Sequence, residues 1–212
     1  MSDLFSEAAW DERYRSRDAL WSGKPNAYLV SEAAGLLPAS ALDVGAGEGA
    51  DAIWLAARGW RVTAVDISSV ALARAAAHAE DRGADIASRI EWQHEDLLSW
   101  YPAKSSFDLV SAQYLHLLAA DRADLFGRLA ATVAPGGTLL IVGHHPSDLQ
   151  TTMPRPPLPE LFYTGDDITA LLDPSAWDIV LNAAPGRVAK DPDGNAVTIH
   201  DTVFRAVSRV SG

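Results

Sequence analysis

The stretch SALDVGAGEGADAIWLAARGWRVTAVD, residues 40–66, decides the fold. It opens on a short apolar run, Ser40–Gly45, and passes through glycines at 45, 47 and 49. From Ala50 to Arg58 the apolar spacing is helical, with Gly59 as a C-cap, and a second apolar run, Arg61–Asp66, closes it. Strand, glycine turn, helix and strand make one βαβ unit. The glycines let backbone approach a ligand closely. In an open α/β sheet that ligand sits outside the carboxyl ends of the strands.

The same rhythm continues downstream. Ser68 is an N-cap for an Ala-rich helix to about Asp81, and Ile90–His94, Phe107–Gln113 and Thr138–Gly143 read as strands. A helix from Asp121 to about Val133 lies between the last two. Strands alternating with helices predict an α/β fold: a Rossmann-like, doubly wound, mostly parallel sheet of seven strands. Upstream, residues 6–20 and 26–37 read as two helices broken at Trp21–Pro25. Beyond the sheet, residues 144–164 carry five prolines and no period, as a binding loop does. A short helix, Asp166–Leu172, precedes two strands, Trp177–Ala183 and Thr198–Val207. The turn signal at Asp191–Asn195 between them predicts a C-terminal antiparallel hairpin. The expected organisation is a single domain, 1–212. A helical lid spans 1–38, a cofactor-binding core 39–143, a substrate loop 144–164, and a final helix and hairpin 165–212.

Composition narrows the function. The chain has 212 residues, 48% hydrophobic and 21% charged, and no cysteine. That excludes a disulfide scaffold, a Cys-ligated metal and thiol catalysis. A formal charge of −11 opposes nucleic acid and anionic membranes and suits cationic or neutral small ligands. No basic cluster for an oxyanion is visible. No signal-peptide core and no apolar run of ~20 residues is present, so the expected location is cytoplasmic. His144 and His145 are adjacent, a poor spacing for one ion, so no metal site is expected.

Gly45-x-Gly47-x-x-Ala50 also fits a dinucleotide loop, and Asp66 ends the second strand where a ribose-binding acid belongs. The surrounding acids discriminate. A pyrophosphate wants bare amides at a helix N-terminus. Asp43, Glu48 and the pair Glu95-Asp96 would oppose it, yet they would attract a ligand bearing a sulfonium and an ammonium.

Five segments in order, DVGAGEG (43–49), VTAVDIS (62–68), HEDLL (94–98), FDLVSAQYLHL (107–117) and APGGTLLIV (134–142), resemble the class I S-adenosylmethionine-dependent methyltransferases. The resemblance implies that Gly45, Ala46 and Gly47 line the methionine part of the cofactor and that Asp43 lies near its amino group. It implies that Asp66 accepts the ribose hydroxyls, with Ile67 against the adenine. Asp96, preceded by Glu95, would accept from the adenine amino group beside Leu97, and Gln113 and Tyr114 would flank the methionine end. WDERYRSRDALWSGKPNAYL (10–29) is similar to the N-terminal segment of small methyltransferases of the tellurite-resistance and thiol- or heterocycle-methylating type. That segment folds over the cofactor, which makes Trp10, Tyr14, Trp21 and Tyr28 lid candidates, with Trp21 facing the ligand.

The implied reaction is methyl transfer from S-adenosylmethionine, giving S-adenosylhomocysteine. The acceptor is a small apolar or aromatic molecule with a sulfur, oxygen or ring-nitrogen nucleophile, and the protein acts as a monomer or homodimer. In-line displacement needs alignment and desolvation above all. Where a base is needed, His116, His144 and His145 follow strands four and five and are the candidates. Phe162 and Tyr163 would roof the acceptor, and Arg155, near Asp148, is a candidate to hold an anionic one. His200 and Asp201 are consecutive in a strand and should face opposite ways. Two rival readings are an NAD(P)-linked oxidoreductase, disfavoured by the missing Tyr-x-x-x-Lys pair, and a non-catalytic S-adenosylmethionine-binding module.

Overall fold

The computed structural model describes residues 5–156 and 158–210. Helices α1 (Glu7–Arg15) and α2 (Ala27–Ala33) lead into β1 (Ser40–Val44), α3 (Ala50–Ala56), β2 (Arg61–Asp66), α4 (Ser69–Arg82), the short α5 (Ala84–Ala87) and β3 (Ile90–His94). The second half runs β4 (Phe107–Gln113), α6 (Ala119–Thr132), β5 (Val133–His144), two 3-10 turns, α7 (Gly165–Thr169), β6 (Trp177–Ala183), β7 (Gly186–Lys190) and β8 (Ala196–Ser208).

The sheet order is β3-β2-β1-β4-β5-β8-β6. The first five strands are parallel, and β8 runs antiparallel to both β5 and β6. The chain winds outward from β1 in one direction and from β4 in the other. The carboxyl ends of β1 and β4 therefore flank the switch point, where such sheets bind ligands. Side chains alternate between two buried layers. Leu42, Val44, Val110, Leu139 and Ile141 pack with Leu125, Phe126 and Leu129 of α6 on one face. Ala41, Val62, Ala64, Leu140 and Val142 pack with Leu29 of α2 and Leu55 of α3 on the other. Burial on both faces explains why these strands read as unbroken apolar runs.

Three expectations need correction. Helix α1 ends at Arg15, not near residue 20, and α2 ends at Ala33; residues 16–26 form an irregular strap. Strand β5 begins at Val133, because Phe107 pairs with Val133 and Leu109 with Thr138, leaving Pro135-Gly136-Gly137 as a bulge. An eighth strand, β7, was not expected. The Asp191–Asn195 turn joins β7 to β8, whose residues 196–200 extend past the main sheet to pair with it.

Candidate active site

The β1 chain turns at Gly45, whose N–H, like that of Ala46, donates to the Val65 carbonyl at the end of β2. Gly45 and Gly47 have φ of +72° and +53°, a left-handed backbone that favours glycine. A Cβ on Gly45 would sit 2.5 Å from Leu115 Cδ2, and one on Gly47 3.0 Å from Tyr14 Oη and 3.4 Å from Trp21 Nε1. The loop is thus overlaid by side chains from the strap and from the β4 end, and it floors a cavity of about 1000 Å³.

Four carboxylates surround the loop. Asp43 lies beneath it rather than on the cavity lining, fully buried, with Oδ2 unpartnered among the described residues. Burial raises its carboxyl well above the usual range, the charge of Asp51 adds to this, and the Ala52 amide opposes it. Asp51, on the first turn of α3, lines the cavity and accepts from the Asn26 N–H at 2.6 Å. Burial pushes its carboxyl up to about 6. Asp66 accepts from the Gly47 and Ser68 N–H groups, each at 2.8 Å and each on a different oxygen. Burial still raises it, the two amides opposing. Glu48 accepts from Leu20 N–H (3.2 Å) and Trp21 N–H (3.1 Å) and pairs with Arg74 at 3.0 Å. It clasps the strap to the loop.

The strap has a second anchor. Asp11 of α1 accepts from the Ser68 hydroxyl at 2.6 Å, and Ser68 itself caps α4 by accepting from the Ala71 N–H. Trp21 donates from Nε1 to Tyr14 Oη at 3.0 Å, and Phe5, Trp10 and Tyr28 also line the cavity. Tyr14 is held neutral, its phenol raised by burial and then by Asp66.

Beyond the loop the cavity runs to the carboxyl end of β4. Tyr114 there has a left-handed φ of +51°, which a non-glycine residue adopts rarely. Its ring lies 4.7 Å from that of His144, and burial raises its phenol, with the charge of Asp201 adding. Asp201 of β8 is fully buried and accepts from Arg187 Nε at 2.7 Å and from Tyr28 Oη at 3.5 Å. His116 reaches the lining between the rings of Phe5 and Trp10, each 5.9 Å away. Burial lowers its imidazole, with Arg13 adding. His144 is lowered to about 4 by burial, Arg155 and His116 against the opposing Asp201, and its Nδ1 lacks a hydrogen-bond partner among the described residues.

Residues 41–137 match the methyltransferase domain family. The match covers just under half of the chain. Over 102 residues the chain is 41% identical to an uncharacterized methyltransferase of Mycobacterium tuberculosis, covering 48% of each. A Mycobacterium bovis relative matches to the same extent. The matched stretch spans about half the length of these curated relatives. Two solved structures resemble the whole chain. One, described for the conversion of a disulfide bond into a thioacetal group during echinomycin biosynthesis, is 22% identical with a TM-score of 0.73, covering 97% of this chain and 93% of that one. TehB from Haemophilus influenzae is 17% identical with a TM-score of 0.67, covering 97% and 67%. At these identities the likeness shows the fold.

Within the matched segment, the structure gathers Gly45, Ala46, Gly47, Asp66, Ile67, Asp96, Leu97, Gln113, Tyr114 and His116 on one lining, and Trp21 of the strap joins them. Asp96 also accepts from the Leu98 N–H at 2.9 Å, a loop-capping contact. Other expectations are corrected. Glu95 is off the lining, held at the β3 end by its backbone bond to Asp66. His144 stands behind Tyr114 rather than on the lining. His145 turns away to cap the 3-10 turn Pro146–Gln150, accepting from Ser147 N–H. Arg155 is spent on buried Asp148, at 2.6 Å. Phe162 and Tyr163 are core residues, Tyr163 donating to the Val142 carbonyl at 3.2 Å. His200 and Asp201 do face opposite ways, toward Ser147 and toward Arg187. Asp51 and Arg187 are lining residues that the sequence reading leaves out, and Asp201 enters it only as the neighbour of His200. Asp51 carried a signal, an acid in the first turn after the glycine loop, whereas Arg187 carried none. Among the described residues no cluster of three His, Asp or Glu side chains is placed to hold a metal, and no helix is long and apolar enough to cross a membrane.

Proposed function

We propose that the chain transfers a methyl group from S-adenosylmethionine to a small-molecule acceptor. The observation that carries this reading is the glycine cradle ringed by Asp43, Asp51 and Asp66, three carboxylates that accept from backbone amides or stand unpartnered and have no ion pair among the described residues. Buried carboxylates without counter-charge attract a cation. A dinucleotide pyrophosphate would be repelled there. The residues fit the cofactor. Each Asp66 oxygen holds one amide and keeps a lone pair for one hydroxyl of a ribose diol. Asp43 Oδ2 is an unmet acceptor beneath the loop. The cavity, about 1000 Å³, is at the upper end of ligand-pocket sizes, room for a nucleoside and a small second molecule.

When bound, the cofactor supplies an electrophilic methyl group on a sulfonium. The protein's part is positional. Gly45–Gly47 hold the backbone close, Asp66 and Asp96 fix the nucleoside, and Asp51 sets the local field. Trp10, Tyr14 and Trp21 shut out water, which strengthens every charge interaction inside. His116 is a neutral contact for the acceptor. His144, lowered to about 4, is a weak base near neutrality and stands off the lining. TehB is matched over 97% of this chain, a span that includes the strap, which supports the small-acceptor subtype. The thioacetal-related neighbour keeps sulfur among the acceptor atoms.

Calorimetric titration with S-adenosylmethionine, S-adenosylhomocysteine and NAD in separate runs tests this. Stoichiometric micromolar binding of the two sulfur cofactors, absent for NAD and abolished by Asp66→Ala, is the expected result. Binding of NAD alone would overturn the reading of the carboxylates.

A further inference from the structure

The far end of the cavity holds a polar cluster inside an otherwise aromatic surround. Asp201 of β8, Arg187 of β7, Tyr28 of α2 and Tyr114, just past β4, line it together, with β8 three strands along the sheet from β1. Asp201 takes the Arg187 donors at Nε (2.7 Å) and Nη2 (3.5 Å). A guanidinium carries five N–H donors. Two are accounted for, and the Arg187 side chain remains 46% exposed while lining the cavity. The carboxylate it pairs with is fully buried. The only other cationic side chain on the described lining, Lys24, is an exposed strap residue.

We infer that the acceptor carries one anionic oxygen or sulfur group on an apolar body, and that Arg187, steadied by Asp201, binds that group. The inference rests on the methyl-transfer reading for the word acceptor alone; the anion site stands on its own geometry. On a chain of net charge −11 an anion is repelled by most of the surface. A planar guanidinium with unused donors is the group that recovers it, by charge-assisted hydrogen bonds that a neutral isostere cannot make. Asp201 offsets the guanidinium charge and fixes its plane, so the preference is moderate rather than absolute. Arg187 is a specificity residue and Asp201 a positioning residue.

Benzoate and its neutral isostere benzamide are the probes, titrated into the full chain with and without saturating S-adenosylhomocysteine. Benzoate should bind about ten-fold more tightly than benzamide. Arg187→Gln should remove the difference, and Arg187→Lys should keep part of it. Asp201→Asn should enlarge it, because the guanidinium loses its internal counter-charge; a merely structural cluster would weaken both probes alike. Thiophenolate, run in parallel, separates the sources: tighter benzoate places an anchoring carboxylate at Arg187, tighter thiophenolate the nucleophile itself. Equal affinity for benzoate and benzamide in the wild type overturns the proposal, as does a preference that survives in Arg187→Gln. If Asp201→Asn fails to fold, the two Arg187 variants decide. Loss of S-adenosylhomocysteine binding by the wild type would refute the cofactor reading, while the anion preference is still read in its absence.

Discussion

Asp51 shows how one side chain sets function against stability. Its carboxyl is raised from 3.8 to about 6 by burial, so between those values the native chain binds more protons than the unfolded one. Its stabilising contribution is therefore full below pH 3.8 and lost as pH rises through about 6. Asp51→Asn keeps an acceptor for the Asn26 N–H and removes the charge. The variant should melt close to the wild-type temperature near pH 4 and above it at pH 7.5, where the shift corresponds to about 3 kcal/mol of added stability. Thermal melts at the two pH values check this, and a pH-independent difference would show that the charge is not the cause. Affinity for S-adenosylmethionine should fall in the same variant, because the charge that costs stability attracts the cation. Asp66, Gly45 and Gly47 were legible in the sequence because their roles are local: a strand end, a turn, a backbone that needs φ above zero. Arg187 was not legible. Its place depends on β7 pairing with β8 and on Asp201, fourteen residues away.

The strap is the element where propensity and tertiary structure part. Residues 6–20 are spaced for a helix, but α1 stops at Arg15 and the chain crosses the glycine loop instead. The amides of Leu20 and Trp21 then lack helical partners, and buried Glu48 supplies them. Glu48→Gln removes the ion pair with Arg74 and one strong acceptor, a loss of about 1–3 kcal/mol for a partly buried charge-assisted bond. The strap should open more often. Trypsin should cut at Arg15 and Arg17 several-fold faster than in wild type, with S-adenosylhomocysteine restoring protection. Unchanged cleavage would place the strap's anchorage elsewhere, at Asp11 and Ser68. Strands β2, β3, β4 and β6 have the bounds read from sequence, and β1 differs by one residue at its end. Strand β7 escaped because GRVAK at 186–190 has no apolar face to read: Val188 is 74% exposed, and the strand pairs only with the overhang of β8. Periodicity reports burial, and an element that buries little leaves no period.

At the scale of the molecule the charge distribution matters more than any one pair. Most of the −11 is spread over the surface, and buried carboxylates at the β1 and β2 ends add a local negative field. S-adenosylmethionine carries a net positive charge from its sulfonium, whereas S-adenosylhomocysteine is a neutral zwitterion near pH 7. The two ligands present nearly the same shape to the cavity, so their difference isolates the long-range field. Salt shortens the reach of exposed charges to about 10 Å at 0.1 M and about 3 Å at 1 M, while buried pairs are screened far less. Between 50 mM and 500 mM NaCl, the affinity for S-adenosylmethionine should therefore fall several-fold and that for S-adenosylhomocysteine by less than two-fold, measured by titration at fixed pH. Parallel salt slopes would assign cofactor attraction to the short-range contacts of the glycine loop alone. In the expected case, product leaves a field that no longer holds it as its substrate form was held. The charge that draws the methyl donor in then also favours exchange after transfer.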